Sequence, residues 1–209
     1  KASYLERLVP YEQGGLYDPE KLSAFNRRLA ETRLFRVARA SLAEEPSGIA
    51  EDGTEIRDIV ITMNERERNT IAAGASYSTS EGYGLNLEYT RRNLSRRGDT
   101  LTSEITVAEL EQSLTVVWRR PNELGYGRGL VLNAGATTEQ TDAYDRQALE
   151  VGAAFEVVKS PEFTYSYGVT GEIVREEDDL GERDLQILSV FADARLDKTD
   201  SVLDPRKGW

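Results

Sequence analysis

The chain has 209 residues, a formal net charge of -11 and a pI near 4.7, which argues against non-specific binding to nucleic acid. It contains no cysteine and no histidine, so disulfide frameworks, Cys- or His-ligated metal sites and Ser-His-Asp catalysis are all excluded within this sequence. Mean hydropathy is -0.53 and no apolar run approaches a membrane-spanning helix, but a membrane β-barrel alternates polar and apolar residues and also averages to a soluble value.

Residues 1 to about 67 mix helix and strand. Ser3 is placed to cap a short helix carrying Tyr4, Leu5 and Leu8, closed by Pro10 and the Gly14-Gly15 pair. Asp18-Pro19-Glu20 is a helix start, with a capping side chain, Pro at the first helical position and an acid in the first turn. Leu22, Phe25 and Leu29 follow at helical spacing and predict one buried face. Strands are expected at 34–43 and 55–65, joined by the polar, Gly-containing "EEPSGIAEDGT". Two strands make a thin sheet, so a first strand is expected ahead of Lys1.

From about residue 69 the pattern is β throughout. Strands are expected near 69–79, 84–94, 100–110, 112–120, 128–138, 146–158, 162–175 and 185–197. One face of each is nearly all apolar, as in Leu149, Val151, Ala153, Phe155 and Val157 of the sixth, against Glu150, Gly152, Ala154 and Glu156. A soluble sandwich alternates in the same way. Two further features favour a bilayer. Tyr77, Tyr89, Trp118, Phe163 and Tyr165 sit near strand ends on the apolar face, as an interfacial girdle does. The connections also sort into two chemical sets, "STSEGY", "TTEQTDAYDRQ" and "REEDDLGER" being acidic or polar. The set formed by "RRNLSRRGD", "RRPNELGYGRG", "KSPE" and the closing "DKTDSVLDPRKG" holds most of the basic residues of this half. Successive hairpins place their turns at opposite ends, so two sets match two aqueous sides. The expected lumenal charges are Glu104, Arg119, Glu150, Glu156, Glu172, Asp193 and Arg195, forming cross-strand ion pairs inside a wet barrel. These acids are spread over many strands without a cluster, and no enzymatic role is expected.

Several stretches carry a family likeness. "YDPEKLSAFNRRLAETRLFRVARASLA" (17 to 43) and "IRDIVITMNERERNTIAAGASYSTSEGYGLNLEYTRRNLSRRGD" (56 to 99) resemble the BamA/TamA superfamily of outer-membrane assembly proteins, most closely its TamA (translocation and assembly module) branch. The motif turns are "RRNLSRRGD", with Asn93, Leu94 and Gly98, and "LDKTDSVLDPRKGW", with Asp197, Asp200, Asp204, Pro205 and Gly208. Ser95 and Arg96 depart from the Phe and Gly usual in that family, which puts the packing under the first turn in question.

The resemblance implies a mainly β fold: a partial α+β POTRA domain at 1–67, periplasmic, then the first eight strands of a 16-stranded transmembrane antiparallel barrel at 68–209. It further implies an outer-membrane location, no cofactor, and membrane lipids and client outer-membrane proteins as partners, with a periplasm-spanning partner docking at the POTRA sheet edge. On this reading the closing turn leads toward a ninth strand. The first strand would be one side of a weakly closed seam at which client strands pair. Thr70, Ile71, Ala72, Ala73, Gly74, Ala75, Ser76 and Tyr77 are its residues, with Ile71, Ala73, Ala75 and Tyr77 toward lipid and Ala72, Gly74 and Ser76 toward the lumen. A two-partner secretion transporter of the same superfamily and a soluble β-rich binding domain are the alternatives.

Overall fold

A computed structural model describes residues 2–79, 82–160 and 162–198. The chain divides into two compact units, Lys1–Glu67 together with Arg96–Gly98, and Arg68–Ser95 together with Asp99–Trp209.

The first unit contains helices α1 (Ala2–Glu6) and α2 (Pro19–Glu31) and strands β1 (Phe35–Leu42), β2 (Gly48–Ile49), β3 (Glu55–Ile56) and β4 (Ile59–Glu65). Helix α2 begins where its capping chemistry places it. Asp18 is extended, and its carboxylate accepts from the amides of Glu20 at 2.9 Å and Lys21 at 3.4 Å. Replacing Asp18 by Ala leaves those amides to water and should cost about 1 kcal/mol, read by chemical denaturation of the full chain. Phe25 and Leu29 of α2 close over Tyr4, Leu8, Leu34 and Ala40, and these six form the core. Asn26 ties α2 to β1 by bridging the amide and carbonyl of Ala40 at 2.7 and 2.9 Å. Gly98 belongs to this unit and lies against the Tyr4 ring. Its φ is +80°, and a Cβ there would come within 2.3 Å of Tyr4 Cζ.

Two expectations for this unit change. Helix α1 starts at Ala2, so Ser3 lies inside it instead of capping it. The strand expected over 55–65 is broken at Arg57-Asp58, because Glu55-Ile56 pairs with Gly48-Ile49 as a small hairpin while Ile59–Glu65 pairs with β1. Arg57 holds the break, donating to Glu55 and to the carbonyl of Glu44.

The second unit is one eight-stranded antiparallel meander. Its strands are β5 (Asn69–Ser78), β6 (Gly82–Arg92), β7 (Thr100–Ala108), β8 (Glu111–Arg120), β9 (Arg128–Gln140), β10 (Tyr144–Val158), β11 (Phe163–Asp178) and β12 (Gly181–Leu196). Each pairs with its sequence neighbours, and β5 and β12 are the edges of an open sheet. All eight expected strands are present.

The main difference lies in length. "REEDDLGER", expected as a connection, is ladder as far as Asp178 and again from Gly181. Cross-strand pairs stabilise this hydrated extension: Arg175 with Glu182 and Asp184, each at 3.1 Å, and Arg183 with Glu176 at 2.7 Å and with Asp178. A period-two search for apolar residues misses such a segment because both of its faces are wet.

Candidate functional site

Antiparallel partners share a face, so the registers give the chemistry of each side of the sheet. One row runs Ala73, Leu87, Ile105, Leu114, Ala136, Leu149 and Ile173 from β5 to β11. The adjacent row runs Ile71, Tyr89, Ser103, Val116, Ala134, Val151, Gly171 and Leu188. This face is apolar and uncovered, with Ile71 71%, Val151 63% and Leu188 80% exposed. A groove of about 490 Å³ crosses it between Leu114, Ala136 and Leu149 and meets amide and charged groups at Gln112, Gln147 and Arg175.

The opposite face is polar. Its rows include Thr70, Thr90, Thr102 and Asn133, and beside them Glu88, Glu104, Thr115, Glu150 and Glu172. Ion pairs form across it, Arg146 to Glu172 at 2.7 Å and Arg119 to Glu156 at 3.3 Å, and the Asn133 amide donates to Glu150 at 2.6 Å. The expected cross-strand pairing of Arg119, Glu156 and Glu172 is therefore present. Arg195 pairs instead with Asp197, at 3.2 Å. In the middle of β12 the polar face carries Leu185, Ile187 and Phe191 around Ser189, while Leu188 and Val190 lie on the other face, so apolar side chains stand on both sides there; Arg183, Asp193 and Arg195 keep the strand's two ends polar.

Among the described residues strand β5 is bonded to β6 alone, and its residues from Asn69 to Tyr77 are exposed. Side-chain contacts hold it at its two ends. At one end the Arg92 guanidinium donates to Thr70 Oγ1 at 2.7 Å, and the Tyr89 hydroxyl donates to Asn69 at 2.9 Å. At the other, the rings of Tyr77 and Tyr83 lie 4.8 Å apart. Between them Ala72, Ala73, Gly74 and Ala75 bring little side-chain surface, and a Cβ on Gly74 would meet nothing within 4 Å. Ile71, Ala73, Ala75 and Tyr77 pair with Tyr89, Leu87, Leu85 and Tyr83 on the apolar face, and Ala72, Gly74 and Ser76 with Glu88, Asn86 and Gly84 on the other.

The turn after β6 is built around a residue not singled out in the sequence. Asp99 is fully buried, and its carboxylate accepts from the Ser95 amide at 2.9 Å and the Trp118 indole at 2.9 Å. Burial by itself raises this carboxyl, but the bonds from Trp118 and Ser95 outweigh it and hold the group below the ordinary range. The signal was present as the acid closing "RRNLSRRGD". Asn93 (φ +56°), Arg96 (φ +63°) and Gly98 (φ +80°) make the left-handed steps, while Leu94 is exposed. Ser95 and Arg96 now have a physical reading. Position 95 contributes its backbone amide, which any residue but Pro supplies. Arg96 occupies a conformation where Gly would be unstrained. Of the closing motif, Asp197 is described, its amide donating to the Glu162 carbonyl at 2.8 Å. Asp200, Asp204, Pro205 and Gly208 lie outside the described residues.

No helix among the described residues is long and apolar enough to cross a membrane, a test that does not bear on strands. No protein-family model matches the chain. Its fold is similar to that of BamA from Haemophilus ducreyi lacking POTRA domains 1–3, with TM-score 0.73, 15% identity, 98% of this chain and 43% of that chain covered. It is also similar to CdiB from Acinetobacter baumannii, with TM-score 0.60, 13% identity and coverage of 94% and 40%. The chain thus spans about two fifths of each of these proteins.

Proposed function

We propose that this chain is part of an outer-membrane assembly factor of the BamA/TamA superfamily, in the TamA branch, that helps client β-barrel proteins or autotransporters insert. The first unit would be part of a periplasmic POTRA domain and the eight-stranded sheet part of the barrel wall. The observation that carries the reading is β5: an exposed edge strand of small residues, ending an eight-stranded sheet whose uncovered face is apolar. Similarity in fold to BamA supports it.

The physical problem is the unpaired strand. In hydrocarbon each free N–H and C=O costs several kcal/mol, so a client strand gains by pairing with an edge that is already in the bilayer. Strand β5 suits such exchange because its middle brings few side-chain contacts that a departing partner would forfeit. Membrane lipids and client barrels are the partners on this reading, with a periplasm-spanning protein at the first unit.

Depletion of the full-length protein should lower the amount of folded barrel proteins in the outer membrane. Loss of a soluble polypeptide from the medium, with membrane barrels unchanged, would instead point to an exporter. A photo-crosslinker at Ala73 should capture client chains during assembly. Replacing Gly74 by Val adds a β-branched side chain in open space, strengthens the β5 edge, and should slow client assembly several-fold while leaving the barrel folded, read by pulse-chase heat-modifiability.

A further inference from the structure

The arginines of the second unit are mostly neutralised within it. Arg119, Arg120, Arg146, Arg175, Arg183 and Arg195 pair with carboxylates, and Arg92 donates to Thr70. Two strand arginines differ. Arg91 and Arg128 are exposed, and their side chains have no partner among the described residues.

Their placement is specific. Arg91 lies opposite Leu101, in the row that continues through Trp118 and Leu132. Arg128 lies opposite Val157, in the row that continues through Tyr165 and Ala194. Both therefore project from the apolar face, at the end that carries the turns 93–99 and 121–127. The two are three strands apart, roughly 14 Å across the sheet, and are offset along it by four residues, roughly 13 Å. A barrel-like strand tilt of about 40°, in the sense that raises β9 relative to β6, would set these two displacements against each other and bring both guanidinium groups to one level. Aromatic rings share the same border: Trp118, and Tyr167 stacked on Phe155 at 5.9 Å. Trp118 is held in orientation by Asp99 at 2.9 Å and carries Arg120 at 5.7 Å from its ring centroid.

We infer that Arg91 and Arg128 form a phospholipid headgroup site, each guanidinium binding a phosphate where the apolar face meets water. The inference rests on the membrane reading above. An unpaired arginine on a lipid-facing surface lays its stem along the hydrocarbon and raises its charge to the interface, where the anionic group available is a lipid phosphate. The fork geometry of guanidinium suits bidentate phosphate binding. The other border has the opposite character on the same face, with Asp145, Glu177 and Glu182 in one row. Phosphate would be repelled there. The site thus also sets which way the sheet sits in a bilayer.

The test uses the full-length protein in nanodiscs of phosphatidylcholine with 0 or 20% phosphatidylglycerol. Lipid retained after detergent exchange is counted by native mass spectrometry for the unmodified protein, Arg91→Gln, Arg128→Gln and the double variant. Each arginine should account for roughly a five-fold preference for the anionic lipid at low salt, the equivalent of about 1 kcal/mol. The double variant should lose the preference, as should the unmodified protein at high salt. Unchanged retention in the double variant would overturn the proposal. Heat-modifiability on gels, measured in parallel, reports whether the chain forms a membrane barrel at all. A barrel that keeps its shift yet shows no arginine-dependent retention refutes the headgroup site alone, and loss of the shift in the unmodified protein refutes the membrane reading.

Discussion

Replacing Val169 by Arg should destabilise the bilayer-inserted protein by roughly 2–4 kcal/mol, as arginine does near the midplane of a lipid-facing barrel wall. Val169 lies in the row Ala153, Val169, Val190, between the aromatic residues of one border and the charged extension of the other. It is 46% exposed, and on a soluble sheet such a position tolerates substitution within about 0.5 kcal/mol. The comparison variant is Thr115→Arg, exposed on the polar face and paired with Glu104. In water-filled surroundings the new charge there meets an acid and should change stability by less than about 0.5 kcal/mol. Urea unfolding in liposomes reads both. Equal, small effects of the two changes would contradict a lipid-facing apolar surface.

The second large effect is expected at Asp99. Removing its carboxylate with Asp99→Ala leaves the Trp118 indole and the Ser95 amide without an acceptor at a site closed to water. Bonds to a charged acceptor are each worth about 1.5–3 kcal/mol, and a buried donor left unpaired adds its own penalty, so a loss of roughly 3 kcal/mol is expected. Asp99→Asn keeps the size but turns a donor toward one of the two donors and should lose part of that. The pH dependence follows from the lowered carboxyl. A folded group that titrates below its unfolded value, near 3.9, stabilises the protein above that value and loses the contribution as pH falls through the folded one. The stability difference between the unmodified protein and Asp99→Asn should therefore be constant above about pH 5 and shrink below about pH 4. Denaturation series at several pH values measure it.

Much of this architecture was legible in the chain because its signals are local. Asp18-Pro19 specifies a helix start through geometry available within four residues. The alternation in β10, with Leu149, Val151 and Ala153 against Glu150 and Gly152, specifies a strand with one dry face, since successive side chains must point oppositely. The sorting of acidic and basic turns follows from the same counting. The strand extensions beyond residue 175 were not legible, because Arg175, Arg183 and their acids look like loop polarity until they are seen paired across strands.

What only the tertiary structure decided is register and closure of contacts. Eight apolar stripes, taken one by one, do not say which residues stand side by side; the ladder aligns Leu114, Ala136 and Leu149 into one surface and leaves β5 with a single neighbour. The acid that closes "RRNLSRRGD" is visible in the sequence, but its indole partner Trp118 lies nineteen residues away and is identified only by the fold. The same holds for Arg91 and Arg128, which look like any other arginine until the structure shows the other described strand arginines of the second unit engaged and these two, on the apolar face, without a side-chain partner among the described residues. Alternation belongs to the backbone and is written in the chain. Partnership depends on which distant strands meet, and only the fold determines that.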